Sequence, residues 1–226
     1  MKKNKILFVV AHTDDETIGS GGTIAKHNSI GDKVFAMSFT DGISSRKKNQ
    51  NKQIEQRLKA SIKASKILGF KWIKNLNFPD NELDSVSLIK IIKEIERVKK
   101  IIQPDIVYTH CFSDLNVDHR IVAQATLTAF RPEPKEKMKE LRTFEIPSST
   151  DFSSSKFKKL FSPNIFVSID KFWKKKLKAL KSYNYEMKKE PHSRSIKGIH
   201  NLAKIRGNQS GLKLAESFEL IRKINS

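Results

Sequence analysis

Hydrophobic and polar positions follow two rhythms over the first 130 residues. Ile6–Val10 is an unbroken run of aliphatic and aromatic side chains, the pattern of a strand buried on both faces. Acids, Thr17 and Gly19-Ser20-Gly21-Gly22 follow, then a helical stretch towards Asn28; Gly31-Asp32 marks a turn and Lys33–Phe39 a second strand. Lys47–Lys52 is polar and basic and reads as a mobile loop leading into a helix over Gln53–Leu68, which Gly69 stops. Phe70–Leu76 reads as strand and Phe78–Glu82 as loop. Within Ser85–Ile102, Leu88, Ile91, Ile92, Ile95 and Val98 recur at helical period, and Pro104 ends the run. Asp105–Thr109 is a fourth strand and Val117–Phe130 a helix. Strands joined by helix-length crossovers predict an α/β fold: a Rossmann-like, mainly parallel sheet with helices on both faces, in a single domain.

Past Arg131-Pro132-Glu133-Pro134 the pattern loosens. Glu133–Glu140 is a charge run, Ser148–Ser155 a Ser-rich stretch expected to be a flexible surface loop, and Asn164–Ser168 a strand. Asp170–Tyr185 and Ser195–Arg206 read as helices. The expected organisation is a core over residues 5–130 with a looser, basic part over 131–226.

Charge adds a question to this picture. The 226 residues carry a net charge of +20, with 35 Lys and 9 Arg among the 44 cations. Nucleic-acid readers lean on Arg forks, so a Lys excess points to compositional bias, and no specific nucleic-acid partner is expected. The excess is nevertheless uneven: +8 over residues 1–150 and +12 over 151–226. A substrate with an anionic group is therefore one expectation, with Lys171–Lys181 along its approach. The single Cys111 excludes an internal disulfide. The apolar run after Met1-Lys2-Lys3 is only six residues long and lacks a cleavage site, and no stretch reaches membrane-spanning length, so a cytoplasmic location is expected. Oligomeric state is not readable.

The informative chemistry sits at two strand ends. His12 and Asp15 follow the first strand in H-x-x-D spacing, with Asp14 between them. Ligands bind at the carboxyl ends of parallel strands, but acids at a helix start also complement its dipole, and locally both readings stand. About a hundred residues on, the fourth strand ends in Thr109-His110-Cys111-Phe112-Ser113-Asp114-Leu115-Asn116-Val117-Asp118-His119. Two His and one carboxylate with an open position make a catalytic zinc set, and His12, Asp15 and His119 fit it. A dinucleotide site is the first alternative, but Gly19-x-Gly21 lacks the third glycine and begins too far beyond the strand. A basic nucleic-acid-binding protein is the second.

The chain resembles the PIG-L/LmbE family of zinc-dependent N-deacetylases. The resemblance rests on Ala11-His12-Thr13-Asp14-Asp15-Glu16 and the distant Asp118-His119. Gly21-Gly22-Thr23, Phe78-Pro79-Asp80-Asn81, Arg206-Gly207 and Ala215-Glu216-Ser217-Phe218 support it. It implies hydrolysis of the acetamide of an N-acetylglucosamine-type sugar, with Zn²⁺ on His12, Asp15 and His119. It further implies Asp14 as general base, Asp118 orienting a neighbouring group, and Arg57 and Asp80 at the sugar. Thr13 stands where the family has Pro. Asn116 stands where many members have a histidine that polarises the amide carbonyl; either Asn116 or His110 could take that role.

Overall fold

The computed structural model describes residues 3–45, 50–134, 136–156 and 159–225. Seven strands form one sheet: β1 (Lys5–Val10), β2 (Lys33–Thr40), β3 (Lys71–Phe78), β4 (Ile106–His110), β5 (Glu140–Phe144), β6 (Ile165–Ser168) and β7 (Ala215–Lys223). Their order is β3-β2-β1-β4-β5-β7-β6, parallel from β3 to β5, with β7 antiparallel to both of its neighbours. The chain winds outward from β1 to β3, then returns to the other side of β1 with β4. The β1/β4 boundary is thus the switch point, where a crevice opens at the carboxyl ends.

Successive β1 side chains point to opposite faces and feed two cores. Ile6, Phe8 and Val10 pack with α1 (Asp15–Ser29), α2 (Gln50–Leu68), α5 (Trp173–Leu180) and α6 (Ile196–Asn208). Leu7 and Val9 pack with α3 (Leu88–Ile102) and α4 (Val117–Ala129). Helices therefore cover both faces of a mixed, mostly parallel sheet.

Several expectations change. The glycines do not precede α1 but lie inside it, since the helix starts at Asp15. A Cβ on Gly19 would sit 2.6 Å from the Phe144 ring, and one on Gly22 2.6 Å from Ile169. These residues let the helix approach the sheet closely, which is a packing role and not a phosphate turn. The part beyond residue 131 is not loose: β5, β6 and β7 extend the same sheet. The expected helix over Asp170–Tyr185 is shorter, because single 3-10 turns flank α5. In the stretch Lys47–Lys52, residues Lys47, Lys48 and Asn49 lie outside the described residues, and α2 already begins at Gln50.

Lys176 on α5 is buried, not a solvated member of a basic face. Its Nζ bonds Glu216 Oε1 of β7 at 2.7 Å and the Ile18 carbonyl of α1 at 2.8 Å. Glu216 in turn accepts the Gly22 and Thr23 amides at 2.8 and 2.7 Å. One buried ion pair thus ties α1, α5 and β7 together. Breaking such a pair strands a charge, so Lys176→Met should cost about 3–5 kcal/mol in urea unfolding, and adding Glu216→Gln should recover part of the loss. A change below about 1 kcal/mol for the single variant would show the pair to be energetically idle.

Candidate active site

The crevice at the β1/β4 switch point is lined by His12, Asp14, Asp15, Gly42, Arg57, Asp80, Asn81, Asn116, His119, Glu186 and Arg194. Residues more than a hundred positions apart meet here because β1 and β4 pair in parallel, Ile6 opposite Ile106 through Phe8 opposite Tyr108. The Ala11 amide donates to His110 Nε2 at 2.9 Å, joining the two strand ends directly.

Three donor atoms converge at the crevice floor. His12 Nδ1 lies 3.3 Å from Asp15 Oδ2 and 3.3 Å from His119 Nε2, and the last two atoms are 3.5 Å apart. Tetrahedral ligands at zinc–nitrogen and zinc–oxygen distances of about 2.0–2.1 Å sit about 3.3 Å from each other. The triangle therefore has the dimensions of a divalent-metal site with one face open to the crevice. His12, Asp80 and Asp118 form a second group of possible ligands. There, however, both carboxylates approach His12 Nε2, at 3.2 Å each, and are placed to accept its proton. The first group leaves Nδ1 to share with His119 and Asp15, and is the better donor set.

Burial disfavours a charged His12, but Asp15, Asp118 and Asp80 outweigh it and raise its pKa well above the ordinary value. Burial likewise opposes ionisation of Asp15, yet His119, His110 and His12 hold its carboxyl well below the usual range. Asp80 falls to about 2 against the same burial penalty, chiefly through His12. Asp14 moves the other way: burial raises it and Asp15 adds to the rise, against the pull of Arg57 and Arg194.

Asp14 is the N-cap residue of α1 by position, but its side chain makes no capping bond. Oδ1 accepts Arg57 Nη2 at 2.5 Å, and Oδ2 has no hydrogen-bond partner among the described residues. Arg57 is fully engaged: Nε donates to Thr13 Oγ1 at 3.2 Å, and Nη1 pairs with Glu186 Oε1 at 3.0 Å. It borders the crevice beside Asp14, with its guanidinium shared among Thr13, Asp14 and Glu186. Thr13, where the family has Pro, supplies one of the oxygens that fix it. Glu16 turns inward, accepts the Thr17 hydroxyl at 2.6 Å, and is pushed by burial up to about 8.

Asn116 caps α4, its Oδ1 accepting the Asp118 and His119 amides, while Nδ2 donates to Asn81 Oδ1 at 3.0 Å. The amide is oriented by these bonds, with its NH₂ at the crevice. Asp118 accepts the Asn81 amide at 2.8 Å and the Leu83 amide at 3.0 Å besides approaching His12. His110 does not line the crevice, but its Nε2 lies 3.4 Å from Asp15 Oδ2 beneath it. It is fully buried, stacked against His119 with centroids 4.0 Å apart, and held down to about 4 by burial and His119. Its Nε2 accepts the Ala11 amide, so the ring carries its proton on Nδ1 and is neutral. Cys111 is buried beside the Ser113 hydroxyl, at 3.0 Å.

The expected Ser148–Ser155 surface loop is in part interior. Ser149 and Thr150 are buried and donate to the two oxygens of Asp114, whose Oδ2 lies 3.2 Å from His119 Nδ1. Glu186 and Arg194 come from the segment between α5 and α6, where no motif marks them. Lys171–Lys181 contributes nothing to the lining. A larger cavity of about 520 Å³ is bordered by Cys111, Leu160, Asn164 and Glu219 and shares no lining residue with the crevice.

Residues 7–130 match the family described as PIG-L: GlcNAc-PI de-N-acetylase. The uncharacterized deacetylase YaiS of Escherichia coli is 31% identical over 80% of this chain and 91% of that protein. The diacetylchitobiose deacetylase of Thermococcus kodakarensis is 26% identical over 96% of this chain and 83% of that protein. Among solved structures, the N,N'-diacetylchitobiose deacetylase of Pyrococcus horikoshii shares the fold with a TM-score of 0.78 at 21% identity, covering 97% of this chain and 84% of that one. The fold alone does not select a reaction: a 4-carboxy-2-hydroxymuconate hydratase from Pseudomonas putida superposes with a TM-score of 0.77 at 20% identity, over 99% and 98% of the two chains.

Arg57 lies between Asp14 and Glu186 and pairs with both. Arg57→Met should lower unfolding free energy by about 3–5 kcal/mol, and Arg57→Lys should recover only part, since one ammonium cannot reach Thr13, Asp14 and Glu186 together. A urea titration of both variants reads this; equal stability of Met and wild type would refute it.

Proposed function

Because the chain belongs to the PIG-L family of de-N-acetylases, we propose that it hydrolyses the acetamide of an N-acetylated sugar, using a zinc ion held by His12, Asp15 and His119. The observation that carries this reading is the metal-sized triangle beside an unpartnered oxygen of Asp14. A divalent ion in the triangle supplies Lewis acidity towards a water molecule and the acetamide carbonyl.

This chain's residues supply the rest. Asp14 accepts the water proton on Oδ2 and returns it to the departing amine; its raised pKa suits a group that must both take and give. Arg57 holds Oδ1, so only the second oxygen is available. Asn116 Nδ2 spends one hydrogen on Asn81 and directs the other at the carbonyl oxygen, where charge develops. Asp118 and Asp80 accept from His12 Nε2 and leave Nδ1 as its donor. Asp80 also borders the crevice and is placed to meet a sugar hydroxyl. His110, neutral and covered by His119, moves no proton.

Four carboxylates and two guanidiniums line the crevice, so a divalent ion would bring it to neutrality. An uncharged glycoside fits that balance, and the anionic substrate expected from the basic C-terminal third does not. Accordingly, kcat/KM should stay within about twofold between low and physiological salt; a steep fall would restore the anionic reading.

Acetate release from N-acetylated glycosides, with and without a chelator, tests the function. Release that persists after complete metal removal would overturn it. The two adjacent carboxylates should separate: Asp15→Asn should lose zinc, whereas Asp14→Asn should keep it near stoichiometric and lose about 10²–10⁴-fold in kcat. Metal analysis beside kinetics decides this, and a zinc-free Asp14→Asn with a zinc-replete Asp15→Asn would exchange their roles.

A further inference from the structure

The crevice holds only about 100 Å³. Pockets that enclose a drug-sized ligand run to roughly 300–1,000 Å³. The chamber can take an acetamide but not a whole oligosaccharide, so whatever is attached to the acetamido ring must lie against the mouth.

Two exposed apolar side chains are linked to residues of that mouth. Leu115 and Phe152 are 57% and 55% exposed, whereas Leu58, Ile62, Ile89, Ile101 and Ile205 lie on α2, α3 and α6. Leu115 directly precedes Asn116 of the crevice, and its amide donates to the Ser149 carbonyl at 3.3 Å. Phe152 stands three residues further on the turn that Asp114 anchors through Ser149 and Thr150. Its ring meets that of His192 edge-on, centroids 6.2 Å apart. His192 Nδ1 accepts the Arg194 amide at 3.0 Å, and Arg194 lines the crevice. Leu115 is thus tied to the turn that carries Phe152, and Phe152 is tied through His192 to Arg194, so this chain of contacts runs from Asn116 to the segment between α5 and α6.

The chemistry of this chain of contacts is two-sided. An exposed aromatic ring at a site mouth packs against the C–H face of a pyranose, and the apolar Leu115 widens that platform. Arg194 Nε is buried without a hydrogen-bond partner among the described residues, a donor ready for a ring hydroxyl. Hydroxyls on the edge and C–H groups on the face are what a sugar offers.

We propose that Leu115, Phe152 and Arg194 form an outer subsite for the pyranose glycosidically linked to the acetamido sugar, so that the preferred substrate is a disaccharide or longer. The proposal rests on the deacetylase reading above and adds where its second ring is held. The subsite contributes binding energy and no bond-making step.

The test compares N,N'-diacetylchitobiose with methyl and octyl N-acetyl-β-glucosaminide, on the full chain and on Phe152→Ala and Phe152→Trp. Wild type should favour the disaccharide over the methyl glycoside in kcat/KM by about tenfold or more. Phe152→Ala should remove about five- to tenfold of this through KM, leaving the methyl glycoside within about twofold, and Phe152→Trp should restore it. Equal loss on both substrates, or no preference in wild type, overturns the subsite. An octyl glycoside that gains as much as the disaccharide overturns it in favour of an apolar aglycone. Calorimetric titration of the same saccharides into chelated protein reads the subsite without turnover. If no acetate is released from any of them, the deacetylase reading fails, and a disaccharide affinity that drops in Phe152→Ala still supports the subsite, whereas none overturns it.

Discussion

The parallel pairing of β1 with β4 is the constraint on which the crevice depends, and its last link is an unusual one. Beyond Phe8 and Tyr108, whose rings stack at 4.6 Å, the strand ends are joined by a backbone amide donating to an imidazole: Ala11 to His110 Nε2. That bond requires a neutral His110 with its proton on the other nitrogen. Burial and the neighbouring His119 hold it in that state. His110 is in this respect a structural part of the β1–β4 joint, and its ring is the surface on which His119 stacks. A residue that the resemblance offers as one of two candidates to polarise the carbonyl thus also joins the strand ends that carry the two halves of the donor set.

The helix that bears Asp14 and Asp15 at its start is held from the opposite end of the chain. Glu216 on β7 accepts two amides from the middle of α1, and Lys176 on α5 bonds the Ile18 carbonyl four residues earlier. Gly19 and Gly22 permit the contact by removing the side chains that would otherwise clash with Phe144 and Ile169. The C-terminal third is consequently a clamp on α1. The placement of Asp14, whose Oδ1 accepts from Arg57 while Oδ2 has no partner among the described residues, is supplied as much by β7 and α5 as by the motif itself.

Much of this was legible in the chain. The buried runs of β1, β2 and β4 and the helical period of α3 are properties of local sequence, and the H-x-x-D pair and the distant D-H pair sit beyond the ends of β1 and β4, at the starts of α1 and α4, where a parallel sheet puts ligands. What escaped reading depends on distant partners. β5 and β7 carry Glu140, Arg142, Glu216 and Arg222, charges that argue against a strand until Tyr108, Lys176 and the Phe130 carbonyl are there to receive them. Ser149 and Thr150 look like loop residues because Asp114, their partner, lies 35 and 36 positions away. Glu186 and Arg194 carry no motif at all, and only the return of the chain over the crevice puts them there. The glycines misled for a related reason: their spacing is set by what α1 packs against.

Net charge was the least informative property, for a physical reason. A total of +20 is a far-field quantity, screened within about 8 Å at physiological salt, whereas the crevice is a local arrangement in which carboxylates outnumber guanidiniums. Even within the basic helix, Lys176 is spent on an internal ion pair. A surplus of positive charge over the whole surface can thus coexist with an acidic cleft built to receive a cation. The field that a reacting acetamide would meet is set by the few groups within hydrogen-bond reach, and those were chosen by strand pairing, not by composition.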